Sequence, residues 1–364
     1  SGGLAVTSLN GGSLVLSGAN TYSGSTSVDS GTLQISGAGL LGSGAYAGNI
    51  ALFNDALFRY SSSAAQTLSG VVSGAGALTK DASTASTLTL SGTNTYTGAT
   101  TVSAGTLRAG STTAFGSNSA VTTNGTLDLN GFDISVGSLA GSGTVSSSTV
   151  TTRTLTTGGD NTSTTFSGVI QNGSGTTRYS KTGTGTQTLS GNNTYTGATT
   201  VSAGTLQISG AGSLGSGSYS NGIALGAGAM FQYSSSAAQR LTGVISGAGS
   251  LVKDTSTSTL TLGTEFVPLT NTYSGGTTLS AGRIYMTPLN DSLLGTGTVT
   301  LNGGTLHFDR VALSNDIVNN GATLHLENGF GSSLAGNITN NALLNVVVQF
   351  TRQNITGVIS GSGG

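Results

Sequence analysis

The sequence predicts an all-β chain, a right-handed parallel β-helix of about sixteen coils with almost no helix, and three observations carry that prediction. Short segments alternate apolar with hydroxyl-bearing residues, glycine-rich turns separate them, and one fourteen-residue phrase recurs along the chain.

The alternation comes first. Segments such as STLTLSG (86–92), GTLQIS (204–209), GTVTLNGGTLHF (297–308) and GATLHLEN (321–328) place an apolar residue at every second position. That period belongs to a strand buried on one face. It points Leu33, Ile35, Leu88, Leu90, Leu206, Ile208, Val299, Leu301, Leu324 and Leu326 inward and the intervening Thr and Ser outward. No window shows a sustained helical period.

The turns come second. Of 364 residues 61 are Gly and two are Pro, and Gly, Asn, Ser and Asp gather between the strands, where positive φ is needed. Asn-Gly pairs at 124–125 and 302–303 are also hairpin signals. A sandwich or barrel is therefore the structural rival.

The recurrence decides between them. NTYTGATTVSAGTL runs from Asn94 to Leu107 and again from Asn193 to Leu206. With substitutions it occurs four times, at 20–35, 94–109, 193–208 and 271–286. Its recurring members are Asn20, Tyr22 and Gly31, Asn94, Tyr96 and Gly105, Asn193, Tyr195 and Gly204, and Asn271, Tyr273 and Gly282. Over this lies a longer echo: residues 31–81 align without a gap on 204–254, at an offset of 173. Internal repetition of this kind means one continuous solenoid, 1–364, in which like residues stack coil upon coil. The recurring tyrosines read as corner packing with their hydroxyls at the surface.

Composition removes several function classes. Charged residues are 6% of the chain, against about 25% in typical soluble proteins. With eleven basic residues scattered along it and a net charge of −1, the chain has no footprint for nucleic acid or an anionic membrane. It has no Cys, which excludes disulfides and thiolate metal sites. No apolar run approaches the roughly 18 residues of a membrane-spanning helix. The first residue is Ser1, which reads as a mature or excised segment with its targeting signals elsewhere.

The stretch KTGTGTQTLSGNNTYTGATTVSAGTL, Lys181 to Leu206, resembles the passenger-associated transport repeat, also called the autotransporter-associated β-strand repeat. The GVVSG, GVIQ and GVISG segments at 70–74, 168–171 and 243–247 share its pattern, and the resemblance covers about half the chain. It implies a β-helical passenger exported across a Gram-negative outer membrane, serving as a surface adhesin or as the stalk of one. The localisation so implied is extracellular, at the cell surface. The implied partners are the rest of a longer passenger chain, the protein itself in lateral or head-to-tail association, or surface glycans and proteins of a host. The last residues, QNITGVISGSGG, break off where the first resume the pattern, which reads either as one stretch of a longer passenger or as a fibre subunit.

Chemistry is scarce by comparison. A β-helix that cuts polysaccharide needs paired carboxylates, and the nearest pairs, Asp128 with Asp133 and Asp309 with Asp316, stand in no acidic cluster. His307 and His325 lie 18 residues apart at equivalent strand positions, with Asp309 and Glu327 two residues after them. They are the candidate metal ligands, weighed against a plain surface ladder. No glycine-rich string has the ending of a phosphate loop. Catalytic residues and cofactors are therefore expected to be none, with the polysaccharide-acting enzyme and a Thr ladder binding glycan or ice as alternatives.

Overall fold

The computed structural model describes residues 2–8, 10–81, 86–254, 257–287, 292–309, 311–327, 333–348 and 354–363. Strands of two to five residues fill it, and every pairing among the described residues is parallel. The result is a parallel β-solenoid of about fifteen turns. The only helical pieces described are two single 3-10 turns, Gly42–Gly44 and Gly215–Gly217, at equivalent places in the duplicated block.

Coil length explains the difference from the sixteen turns expected. In the register that starts at Leu33 and passes through Phe58, Leu78, Thr100, Val121 and Leu139, successive steps run from 18 to 25 residues. In the register from Leu206 through Phe231, Leu251, Thr277 and Val299 they reach 26. Turns absorb the extra residues while the strands stay in line.

Two compact units divide the chain, Ser1–Tyr179 and Ser180–Gly364. In the first, the inward rows include Leu33–Phe58–Leu78 and Leu88–Leu107–Leu127–Val145. In the second they include Leu206–Phe231–Leu251 and Leu260–Ile284–Leu306–Leu324. All of these side chains are buried. Each is worth about 1.5–3 kcal/mol of burial, so one turn holds its place chiefly through the residues it stacks on its neighbours. The inward residues read from the alternation are buried as expected, and Leu326 lies outside the described side chains.

The Asn-Gly pairs are corners and not hairpins. Ala120–Thr123 and Thr126–Asp128 flank Asn124 and Gly125 but belong to different sheets. The Val102 carbonyl of the preceding coil accepts from both amides, at 2.7 and 3.0 Å. Asn302 and Gly303 do the same against the Leu279 carbonyl, at 2.8 and 3.3 Å. A backbone anchored to the coil below turns a corner and has no partner strand to fold back on.

Many bonds of the duplicated block recur in both copies. Gln66 accepts from the Leu41 amide at 2.8 Å, and Gln239 accepts from Leu214 at the same distance. Tyr60 donates to the Ala64 carbonyl as Tyr233 donates to Ala237. One outward row differs: Arg59 pairs with Asp81, whereas Gln232 donates to Asp254 at 2.7 Å.

Candidate functional site

The recurring phrase forms a corner whose polar groups are turned toward neighbouring coils. Asn94 is buried, accepts from the Val72 amide of the coil before it at 2.8 Å and donates to the Ala114 carbonyl of the coil after it at 2.8 Å. Asn271 repeats this with the Ile245 amide and the Leu293 carbonyl. Asn20 donates to the carbonyls of Gly18 and Leu40, and Asn193 to those of Gly191 and Ser213. At about 1 kcal/mol net for each bond, Asn94 and Asn271 staple three successive levels, and Asn20 and Asn193 join their own level to the next.

The tyrosines correct the expectation of surface hydroxyls. Tyr96, Tyr195 and Tyr273 are fully buried, and each hydroxyl is hydrogen-bonded to the Thr four residues on, at 2.7, 2.7 and 2.5 Å. Tyr22 is half-buried and makes the same bond to Thr26 at 2.9 Å. Those threonines, Thr26, Thr100, Thr199 and Thr277, face inward and are buried, which gives the hydroxyl a partner inside. Further residues join the network: Tyr46 with Thr26, Ser119 with Thr100 and Tyr219 with Thr199. Burial pushes the Tyr22 and Tyr219 hydroxyls up to about 12, against the opposing pull of Thr26 and Thr199. It raises Tyr96, Tyr179 and Tyr273 as well.

Gly31, Gly105, Gly204 and Gly282 then turn the chain with φ of 78, 74, 63 and 73°. Only glycine takes that conformation without strain.

Sequence reasoning missed three residues that belong to this corner. Lys80, Lys181 and Lys253 point into the solenoid and are fully buried. The Lys181 ammonium donates to the carbonyls of Thr182, Gly183 and, in the next coil, Ala203. Lys80 reaches the carbonyls of Asp81 and Ala104 at 3.2 and 3.4 Å, and it lies 5.9 Å from the Tyr60 ring. Lys253 lies 5.8 Å from the Tyr233 ring. Burial holds the ammonium groups of Lys80 and Lys253 below the ordinary lysine value, with Asp81 and Asp254 opposing it. A signal existed: in LTK, YSK and LVK the lysine occupies the apolar phase of the alternation.

Three of the four paired carboxylates hold backbone amides of their own or the neighbouring coil. Asp128 is buried, bound by Arg108 at 2.8 Å and by the amides of Asn130 and Ser148. Asp133 accepts from the Thr154 amide, and Asp316 from the Asn337 amide. The Asp309 and Glu327 side chains lie outside those described. A shallow trough of about 560 Å³ over Ala5, Ser27, Ala51 and Ser73 is lined by no ionisable side chain. Outward Thr ladders run to three and four members, Thr79–Thr101–Thr122 ending at Arg59 and Ala140 and Thr87–Thr106–Thr126–Thr144 ending at Val169.

His307 and His325 pair in register, and their rings stack with centres 4.3 Å apart. The edge of Tyr285 packs on His307 at 4.9 Å, and Arg283 lies over Tyr285. His307 is only 2% exposed whereas His325 is partly exposed, so the stack is covered on the His307 side.

A family model described as passenger-associated-transport-repeat matches residues 7–35, 85–109, 180–208 and 255–284. These segments amount to just under a third of the chain, less than the motifs alone suggested. No curated protein and no solved structure matches it. The matches coincide with a structural period. The first three each contain two strands that stack directly on each other, Ser13–Leu16 on Thr32–Ile35, Thr87–Leu90 on Thr106–Ala109 and Thr186–Leu189 on Thr205–Ile208, and the fourth reaches two residues into the second strand of its pair, Thr259–Leu262 on Arg283–Met286. One match is one closed turn.

Proposed function

Since the chain carries four passenger-associated-transport repeats wound as a parallel β-solenoid and so matches an autotransporter passenger domain, we propose that it is the structural stem of a surface-displayed passenger. Its work is to fold coil by coil after export and to hold an adhesive part away from the cell. The observation that carries this is the closed turn. Each repeat ends on the strand that covers its own beginning, and in two of them the motif Asn, Asn94 or Asn271, binds the levels before and after. A finished turn therefore presents both a paired edge and the polar groups that position the next. The partner such a stem takes is more β-solenoid, either the rest of a longer passenger chain or another copy of itself.

The test uses the full reading frame with its own export machinery. Asn94, Asn193 and Asn271 are replaced together by Ala, and surface display is followed by protease digestion of intact cells. Display should fall and the retained passenger should become protease-sensitive; display at the wild-type level would remove the role given to the repeats.

A further inference from the structure

Resting on the part of that reading that takes a second copy as partner, we propose that a loop peculiar to the fourth motif copy, 263–270, docks its Phe266 tip into the trough over Ala5 and Ala51 of another copy. Three residues separate Leu16 from Asn20, Leu90 from Asn94 and Leu189 from Asn193, whereas eight, GTEFVPLT, separate Leu262 from Asn271. The added chain leaves the corner intact, because Asn271 binds the Ile245 amide and the Leu293 carbonyl as Asn94 binds those of Val72 and Ala114. Insertions in a repeat protein leave the stack as loops, often on the face that binds.

The loop is fastened and its tip is bare. The Thr264 hydroxyl donates to the Val267 carbonyl at 2.6 Å and accepts from the Val267 amide at 3.0 Å, which closes the tip. Arg240 of the coil before pairs with Glu265 at 3.3 Å, and it stands where the duplicated block has Thr67, so loop and anchor occur together. Phe266 is nevertheless 86% exposed, with Val267 and Pro268 exposed beside it. Val244, next to the Ile245 that Asn271 binds, is exposed as well and widens the patch. An apolar tip held out by its own turn serves a surface other than its own chain.

The trough suits this tip. It holds about 560 Å³, within the range of about 300–1,000 Å³ for clefts that take up small ligands. Leu4, Ala5, Ala51 and the half-exposed Phe53 line it, with no ionisable side chain among the lining residues. The tip brings no free charge either, since Arg240 pairs Glu265, so neither side desolvates an unpaired ion. Phe266 against Phe53 would form an aromatic pair. A tip and a trough at different places on one chain make a heterologous contact, which leaves each pair of copies a further tip and a further trough. The tip covers on the order of 300–400 Å² per side, against about 800 Å² per partner in a stable complex. One contact is therefore weak, and copies standing side by side strengthen it by avidity.

The chain has no Cys, so oxidative cross-linking of two single-cysteine variants reads the contact. Val267→Cys protein is mixed with Ser27→Cys protein, or with Thr101→Cys as an outward control away from the trough. The mixed dimer should form about tenfold faster with Ser27→Cys than with Thr101→Cys, and adding Phe266→Ser to the Val267→Cys chain should slow it about tenfold. Equal rates at the two positions, or a rate that Phe266→Ser leaves unchanged, overturn the proposal. So does Phe266-dependent capture by phosphatidylcholine vesicles while the cross-link stays at the control rate, which would give the loop to a membrane. Sedimentation reads the same contact without cysteines: the weight-average mass of wild-type protein should rise with concentration and that of Phe266→Ser should not, and an equal rise in both overturns the proposal. Purified chain is used throughout, so failure here leaves untouched the stem, which display on cells tests.

Discussion

An alanine at position 243 tests how far the coils depend on bare backbone at their corners. The added Cβ would stand 2.1 Å from the Asn221 carbonyl oxygen and 2.3 Å from its carbon, both backbone atoms of the preceding coil. Carbon atoms in contact sit about 3.5–4.0 Å apart, so the corner must open by more than an ångström. Overpacking costs about 1–3 kcal/mol, and a strained inter-coil hydrogen bond such as Thr242 to Tyr219 adds about 1 kcal/mol. The expected loss is therefore about 2–4 kcal/mol. Gly228 in the same unit is the control: its φ is +71° and nothing lies within 4 Å of a Cβ there. Alanine at 228 should cost only the left-handed conformation, about 1–2 kcal/mol. Gly70 is the counterpart of Gly243 in the first unit, with a Cβ position 2.2 Å from the Gly48 oxygen, and should behave as Gly243 does. Urea denaturation followed by far-ultraviolet circular dichroism ranks the variants by midpoint at unchanged slope. A Gly243→Ala protein as stable as Gly228→Ala would refute the contact argument.

Three further outcomes follow from the corner. Lys181→Met withdraws a charged donor from the Thr182, Gly183 and Ala203 carbonyls; hydrogen bonds to charge are worth about 1.5–3 kcal/mol each, but an ammonium is no longer desolvated, leaving a net loss of about 1–3 kcal/mol. Wild-type stability in the same denaturation assay would mean that the buried cation contributes nothing. Tyr96→Phe removes the hydroxyl bonded to Thr100 while Ser119 still serves that Thr, so about 1 kcal/mol should be lost, and Thr100→Val in the Phe background should cost less than Thr100→Val alone. Alkali should unfold the protein above pH 10. The raised tyrosines bind their protons more tightly folded than unfolded, so their contribution is whole below the ordinary value of 10.0 and is lost as pH climbs past it toward the folded values. The lowered lysines act the other way below 10.5, but Lys80 and Lys253 are two against seven raised tyrosines, including Tyr60 and Tyr233. A melting temperature that stays level or rises from pH 10 to 11.5 (both about, by the ordinary tyrosine and lysine values) would contradict this balance.

The strands were legible because one physical rule governs them: a pleated segment covered on one face must alternate, as Leu33 and Ile35 or Leu206 and Ile208 do. The repeat was legible because solenoid coils stack like on like, which places Leu88 on Leu107 and Thr186 on Thr205. Local reading failed where the deciding partner sits about twenty residues away. Asn124-Gly125 has the chemistry of a hairpin and becomes a corner only because the Val102 carbonyl lies beneath it. Lys80 turns inward where the Ala104 carbonyl of the next coil comes within reach, whereas the Tyr96 hydroxyl was missed although its partner Thr100, in the inward phase, is only four residues on. His307 is covered because Tyr285 and His325 pack on its two sides, again a fact of stacking.

The duplication has a consequence for the gene. Positions 70 and 243 are equivalent points in two copies of one wiring plan, so an unequal crossover between the copies would join Ser69 directly to Gly243 and remove whole windings without leaving a frayed seam. Even the outward row that has diverged would survive, since Arg59 would meet Asp254 where it now meets Asp81, an acid in either case. Expressed on its own, the shortened chain should keep its strand signature in circular dichroism, and a disordered product would count against this. A protein wired in this way can change length in a population by recombination alone, with selection acting on reach and no contact needing to be redesigned.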